Sequence, residues 1–164
     1  MRFEIEQLIA GPVDAVARVY TEPRFYELLG ELPKLGRPEL LERREAGSVV
    51  DLSVRFRFTG NLSPAVTRVV DPARLSWVEE SVHDLEHHTV TFHVKPDNYA
   101  DRLRFEGSYR FAPVGDRQTR RVAEGEVAVR VPIVGRAVEG AIVSGLREHL
   151  AAEVEVVERL VGEP

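Results

Sequence analysis

The chain has 164 residues but no cysteine, one methionine, one tryptophan and only two lysines, Lys34 and Lys95. The missing cysteine excludes disulfide frameworks, thiolate metal sites and cysteine nucleophiles. No apolar run approaches the ~18–20 residues that cross a bilayer as a helix. The first six residues alternate apolar with charged, which fits neither a secretory signal nor a transit peptide, so a cytoplasmic protein is expected. A surplus of positive charge is also missing. The formal net charge is −5, a poor basis for nucleic-acid binding. The 20 arginines are spread along the chain rather than gathered into one basic segment, which reads as the codon usage of a GC-rich genome.

What remains is an ordinary globular balance, 43% apolar and 30% charged, in a length that suits one domain over 1–164. Phe3, Ile5 and Ile9 alternate with Arg2, Glu4 and Glu6, as in a half-buried strand. Gly11-Pro12 stops it, and Val13, Val16, Ala17 and Tyr20 follow at helical spacing. A second short helix is expected around Phe25, Leu28, Leu29 and Leu32, closed by Pro33, Gly36 and Pro38. Seven further strands are expected near 39–46, 49–59, 62–70, 74–82, 87–95, 101–112 and 117–131, with Gly60-Asn61 as a hairpin turn. After Pro132 the period becomes 3.6. Val134, Val138, Ala141, Ile142, Leu146, Leu150, Val154, Val157 and Val161 form one stripe of a helix of roughly 28 residues, ~40 Å long. A lone antiparallel sheet with one apolar face needs a cover. Only that helix is long enough to supply it, and a bent sheet around a straight rod leaves room for an apolar ligand.

The order of elements resembles the helix-grip superfamily, which includes START lipid-transfer domains, the birch-pollen allergens and polyketide cyclases, and within it an actinobacterial branch. The resemblance rests on Arg57-Phe58-Thr59-Gly60-Asn61-Leu62, on Val69 to Trp77, on Tyr99-Ala100-Asp101-Arg102-Leu103 with Gly107-Ser108-Tyr109-Arg110-Phe111, and on Val131 to Glu139. It implies an α+β START-like fold, a curved antiparallel sheet of seven or eight strands wrapped around a long C-terminal helix, with two short helices after the first strand. These motifs look architectural, so the resemblance implies a fold and a cavity but no particular reaction.

Pairing strands by their alternation allows candidate site residues to be named. A four-residue loop from His83 to Glu86 sets Trp77 opposite Phe92, Glu79 opposite Val90 and Ser81 opposite His88. The next hairpins set Phe105 beside Phe92, Tyr109 beside His88 and Arg121 beside Tyr109. The expected floor is Leu75, Trp77, Phe92, Phe105, Val127 and Val129, continued by Phe56 and Phe58 and roofed by Ile142 and Leu146. Glu79, Ser81, His88, Tyr109 and Arg121 gather at one end, either as a solvent-reaching rim or as a buried functional cluster. Gly107 in the sheet and Gly135, Gly140 and Gly145 in the helix are expected to widen the space or to permit close packing.

Other chemistry is set aside. His83 and His87 have helical zinc spacing, but their context is β-rich, and His87 and His93 stand ~20 Å apart on a strand. A Ser81, His88, Glu79 triad lacks a nucleophile elbow and an oxyanion hole. No glycine loop is placed to cradle phosphate. The leading expectation is a domain that binds a lipid or other apolar small molecule without cofactor, metal, nucleic acid or stable membrane insertion. The alternatives are a cyclase-like enzyme using Glu79, His88, Tyr109 or Arg121 in general acid–base chemistry, and a protein-interaction domain.

Overall fold

The computed structural model describes residues 1–32 and 36–163; Pro33, expected to help close the second helix, lies outside them. Seven strands form one curved antiparallel sheet: β1 (Arg2–Ala10), β2 (Glu39–Ala46), β3 (Val49–Arg57), β4 (Ser76–Asp84), β5 (Thr89–Pro96), β6 (Leu103–Val114) and β7 (Gln118–Val129). Their order in space is β1-β7-β6-β5-β4-β3-β2, a meander closed by the return of β1 to the last strand. Two short helices, α1 (Val13–Val19) and α2 (Pro23–Leu29), follow β1. One turn of helix, α3 (Pro64–Thr67), interrupts the connection from β3 to β4, and α4 (Gly135–Gly162) runs for 28 residues. The edge strand β2 is exposed along nearly its whole length and carries Glu39, Glu42, Arg43, Arg44 and Glu45, charges that discourage another chain from pairing there.

The inner face collects what the alternation assigned to it. Phe3, Ile5 and Ile9 of β1, with Val50, Leu52, Val54 and Phe56 of β3, are buried. The helices α1 and α2 plug one end through Val16, Tyr20, Phe25 and Leu29. From α4 only Gly135, Leu150, Glu153 and Val157 are fully buried; Val138, Ile142 and Leu146 are half-buried and Ala141 is exposed.

Two expectations are corrected. Residues 62–70 form no strand, and Gly60-Asn61 makes no hairpin. Pro64 and Pro72 lack an N–H to give a ladder and instead start α3 and a 3-10 turn (Pro72–Arg74). The turn between β4 and β5 also lies later than expected. The Asp84 carboxylate accepts the N–H groups of Glu86 (3.1 Å) and His87 (3.0 Å), so the chain reverses after Asp84 rather than around it. Trp77 therefore faces Pro96 instead of Phe92, Glu79 faces Val94, and Ser81 faces Phe92. The next two pairings are displaced by two residues, with Phe92 opposite Gly107 and Tyr109 opposite Ala123. Each displacement is an even number, so every side chain that remains within a strand stays on the face its alternation gave it; His87 and His88 fall instead in the turn.

The paired glycines of β6 and β7 do not widen the interior. A Cβ on Gly107 would stand 2.4 Å from the Glu124 carbonyl oxygen and 2.9 Å from the Phe92 ring. One on Gly125 would stand 2.3 Å from the Glu106 carbonyl oxygen and 2.8 Å from the Phe3 ring. The space these residues leave is filled by backbone and by two aromatic rings. Gly135 likewise packs against the Val129 carbonyl, whereas Gly140 nears only the tip of Met1 and Gly145 meets open space. Gly125→Ala is expected to cost about 1–3 kcal/mol through overpacking, read as a lower urea midpoint at unchanged slope, whereas Gly145→Ala gains a few tenths from helix propensity.

Candidate functional site

Three largely apolar faces each carry a polar side chain that meets the others. Gln7 breaks the inner face of β1, Arg121 that of β7, and Glu153 the buried stripe of α4. Arg121 is wholly buried, and all five of its N–H donors are taken. Nε (3.1 Å) and Nη2 (2.9 Å) donate to Gln7 Oε1, and Nη2 also donates to the Leu150 carbonyl (2.9 Å). Nη1 donates to the Tyr20 hydroxyl and to Glu153 Oε1, and His149 Nε2 stands 3.4 Å from the other Glu153 oxygen. Burial pushes the Glu153 carboxyl up, but the Arg121 charge and the contacts with His149 and Arg121 outweigh it and hold the group below the usual carboxylate range. A buried charge survives only with such a complete set of partners.

A further polar side chain is left over. On the inner face of β4, Ser81 Oγ and His83 Nε2 satisfy each other at 2.9 Å, and burial lowers the His83 pKa to about 4, so its ring is neutral. Glu79, on the same face between Val54 and Val94, has no hydrogen-bond partner among the described residues. Desolvation, with the Glu153 charge adding and His149 opposing, raises its pKa to about 7. Yet protein does not close over it. Glu79, Trp77 and Tyr109 lie on the inner faces of central strands, and all three remain half-buried. Leu103, Phe105 and Val129 across the sheet, and Ile142 and Leu146 above, are half-buried too. Glu79 is thus desolvated by its surroundings without being fully covered by them. Two depressions on the outer face, about 620 and 750 Å³, are wide open and rimmed by Glu4, Glu106, Glu126, Glu42 and Glu80.

The expected site residues divide into two groups. Phe56 stacks on Trp77 at 5.9 Å, Phe92 stacks on Tyr109 at 5.1 Å, and Phe105 meets the edge of Phe92 at 5.6 Å. Phe58, just past the end of β3, is tied by its N–H to the Leu75 carbonyl at 2.9 Å and is half-buried. Burial, then the charge of Glu79, raises the Tyr109 hydroxyl well above its usual pKa, so Glu79 and Tyr109 are neighbours on the inner face, and Tyr109, Ile142 and Leu146 pack against one cluster. His88 is a correction. It falls in the turn after Asp84 with φ at 55° and bonds outward through Nε2 to Asp14 (2.6 Å). Arg121 is a second correction. It touches Tyr109, with its guanidinium 5.7 Å from the ring centroid, but its donors are committed to the protein's own groups. The proposed triad fails because Ser81 pairs with His83, not His88. Among the described residues no three acidic or histidine side chains are arranged to hold a metal ion; His87 joins Asp84 and His93 joins Glu80. The reading by strands alone missed Glu153, although a carboxylate three residues after Leu150 and four before Val157, on the buried stripe, is a visible anomaly.

Removing one partner of the buried pair is expected to be costly. Arg121→Met leaves Glu153 charged and unpaired and costs about 3–5 kcal/mol, much of which Arg121→Met with Glu153→Leu recovers, as read by chemical denaturation. The Glu79 carboxyl gives a pH dependence of the opposite sign to ordinary surface acids. Between about pH 4.5 and 7 the folded chain keeps a proton that the unfolded chain gives up, so raising the pH through that window weakens the fold. The total is about 3 kcal/mol by pH 8. Glu79→Gln is therefore expected to be more stable than the parent at pH 8 and equal to it near pH 4.5. His83, whose neutral form is buried, weakens the fold as pH falls from 6.5 towards 4 in both proteins and cancels in the comparison.

No curated protein matches the chain. Solved structures do. TTHA0849 from Thermus thermophilus superimposes with a TM-score of 0.71 at 20% identity over 98% of this chain and 97% of that one. The Zhui aromatase/cyclase from a Streptomyces species gives 0.67 at 15% identity over 98% and 93%. Norcoclaurine synthase from Thalictrum flavum, in complex with dopamine and hydroxybenzaldehyde, gives 0.67 at 18% identity over 100% and 88%. At such identities the likeness establishes the helix-grip fold and nothing finer. A family profile spans residues 4–161, and the chain therefore belongs to the family described as "Protein of unknown function (DUF2505)".

Proposed function

We propose that this protein binds a lipid or other apolar, partly aromatic small molecule between the sheet and the first half of α4, with its polar group held by Glu79. The observation that carries the reading is Glu79 itself, a half-buried, desolvated carboxyl on the inner face without a hydrogen-bond partner among the described residues. A ligand that hydrogen-bonds to it gains about 0.5–1.5 kcal/mol. Phe58, Trp77, Phe105, Tyr109, Ile142 and Leu146 offer the apolar and aromatic surface, and a greasy hollow with one directed polar group is the usual form of a small-molecule site. The aromatic molecules in the norcoclaurine synthase complex support a guest of that shape in this fold.

A second reading has one observation in its favour. A carboxyl whose pKa is about 7 is poised to take and return a proton near neutral pH, as general acid–base chemistry of the cyclase kind requires. Tyr109 beside it supplies a protonated hydroxyl that can orient a substrate oxygen.

The single tryptophan is the natural reporter. Titration with a fluorescent fatty-acid probe or a neutral aromatic ketone is expected to change Trp77 fluorescence saturably, with the guest retained in native mass spectrometry. Ketone binding strengthens about tenfold as pH falls through 7, where the Glu79 O–H donates, because one charge-independent hydrogen bond gained is worth about 1.4 kcal/mol. Glu79→Gln removes that pH dependence. A Trp77 signal that no apolar probe alters sinks both readings.

A further inference from the structure

The arginines that lie scattered in sequence are gathered by the fold. Arg24, Arg43, Arg44, Arg104, Arg120 and Arg121 each have a carboxylate within hydrogen-bonding or ion-pair distance. Of the arginines with no ion-pair partner among the described residues, Arg117 and Arg147 lie in the β6–β7 turn and within α4, whereas Arg68, Arg74, Arg102, Arg130 and Arg136 belong to one end of the molecule. That end is built from three connections, β3 to β4, β5 to β6, and β7 to α4, pinned to one another. The Tyr99 ring lies under the guanidinium groups of Arg74 (5.2 Å) and Arg102 (5.9 Å), and its hydroxyl accepts the Asp71 N–H at 3.1 Å. The Arg74 side chain donates to Asn98 (3.0 Å), and the Arg130 N–H donates to the Arg102 carbonyl at 2.7 Å. Of the acids nearby, Asp97 is occupied by Arg55 and Ser76, and Glu139, which also feels the charge of Arg136, by the Val129 N–H and the Met1 amino group, which leaves Asp71 and Asp101. The result is a fixed, net-positive platform on a chain whose total charge is negative.

At its corner stands Ile133, wholly exposed at 102% of its reference surface, with φ at 71°. The Val134 N–H bonds back to the Pro132 carbonyl at 2.8 Å, and the Gly135 N–H to the Val131 carbonyl at 3.0 Å. A three-residue turn centred on a positive φ is rare and strained, and for a β-branched residue it is an outlier. Folding gains nothing from Ile133, because its side chain touches no core, and it pays a conformational penalty there. A residue strained and presented outward suits contact with something outside the chain. Val69, two residues before Asp71, is also exposed on this end.

We infer that this end docks on an anionic lipid surface, with Ile133 entering the apolar boundary and the five arginines lying among the headgroups. Exposed aliphatic side chains ringed by unpaired guanidinium groups fit such a surface, since each basic group near it adds attraction and the apolar tip adds burial. On the outer sheet face, by contrast, acids and arginines alternate and pair, as in Arg104 with Glu106, Arg110 with Glu124 and Arg120 with Glu6, so that face offers no comparable excess of positive charge. The same end includes the start of α4, beneath which the proposed ligand site lies. Docking stands on Ile133 and the arginines and is independent of what that site binds.

Sedimentation with vesicles of phosphatidylcholine alone, or mixed with phosphatidylserine, tests the inference. Binding is expected only with phosphatidylserine present and is expected to weaken with added salt. Arg130→Gln with Arg136→Gln lowers the partition coefficient about fivefold per arginine at low ionic strength. Ile133→Asn lowers it about tenfold or more, while its melting temperature stays level or rises, because asparagine accepts positive φ more readily than isoleucine. The loss therefore cannot be assigned to unfolding. Probe binding read by Trp77 is unchanged in both variants, which separates this result from the occupancy of the proposed ligand site. Equal binding to the two vesicle types, no binding to either, or full binding by Ile133→Asn overturns the inference.

Discussion

The buried pair of Arg121 and Glu153 sets the relation between sheet and helix. A guanidinium on the inner face of β7 has lost its water and must find acceptors within the fold. Gln7 comes from β1, Tyr20 from just beyond α1, and Glu153 and the Leu150 carbonyl from α4. Four segments distant in sequence are thereby fixed to one planar group whose donors point in set directions. A hydrophobic contact could slide by a turn of helix; this one cannot without stranding a charge. The second half of α4 is anchored in consequence, and Leu150 and Val157 pack on either side of the pair.

The proposed ligand site rests on that anchor and on geometry. A straight helix and a curved sheet touch closely over only part of their length. With the contact fixed at Leu150 to Val157, the first half of α4 spans the remaining distance with half-buried Val138, Ile142 and Leu146. Glu79 lies close enough to Glu153 for that charge to help raise its pKa, and has no ion-pair partner among the described residues. The ion pair and the proposed site are thus coupled: Glu153 is neutralised well enough to be buried, yet its field still reaches the Glu79 carboxyl.

Much of the architecture was legible because side-chain alternation is local. Which residues of β1, β3, β4, β6 and β7 face inward follows from a period of two, and that survived pairing displacements of two and four residues. Register was not legible in the same way, because it depends on where a turn closes. Asp84 closes its turn with a carboxylate that captures the N–H groups ahead of it, and that capture moved His88 out of the site. Residues 62–70 misled for a related reason: Val66, Val69 and Val70 suit a strand or a helix turn, and the prolines at 64 and 72 decide for the latter. Of the polar residues expected together, Glu79 and Tyr109 are neighbours on the inner face, while Arg121 belongs to the anchor.

Period, length and charge pattern alone determined the strand-rich sheet, the long closing helix and the inward set of aromatics, since each depends on neighbours a few residues away. Only the tertiary structure decided which polar residues on those inner faces satisfy one another and which is left facing space, because hydrogen bonding across the core depends on distances between segments as remote as Gln7 and Glu153. It also decided that arginines with no cluster in sequence form one surface. Three connections had to be folded against each other before Arg68, Arg102 and Arg130 could share an end of the molecule.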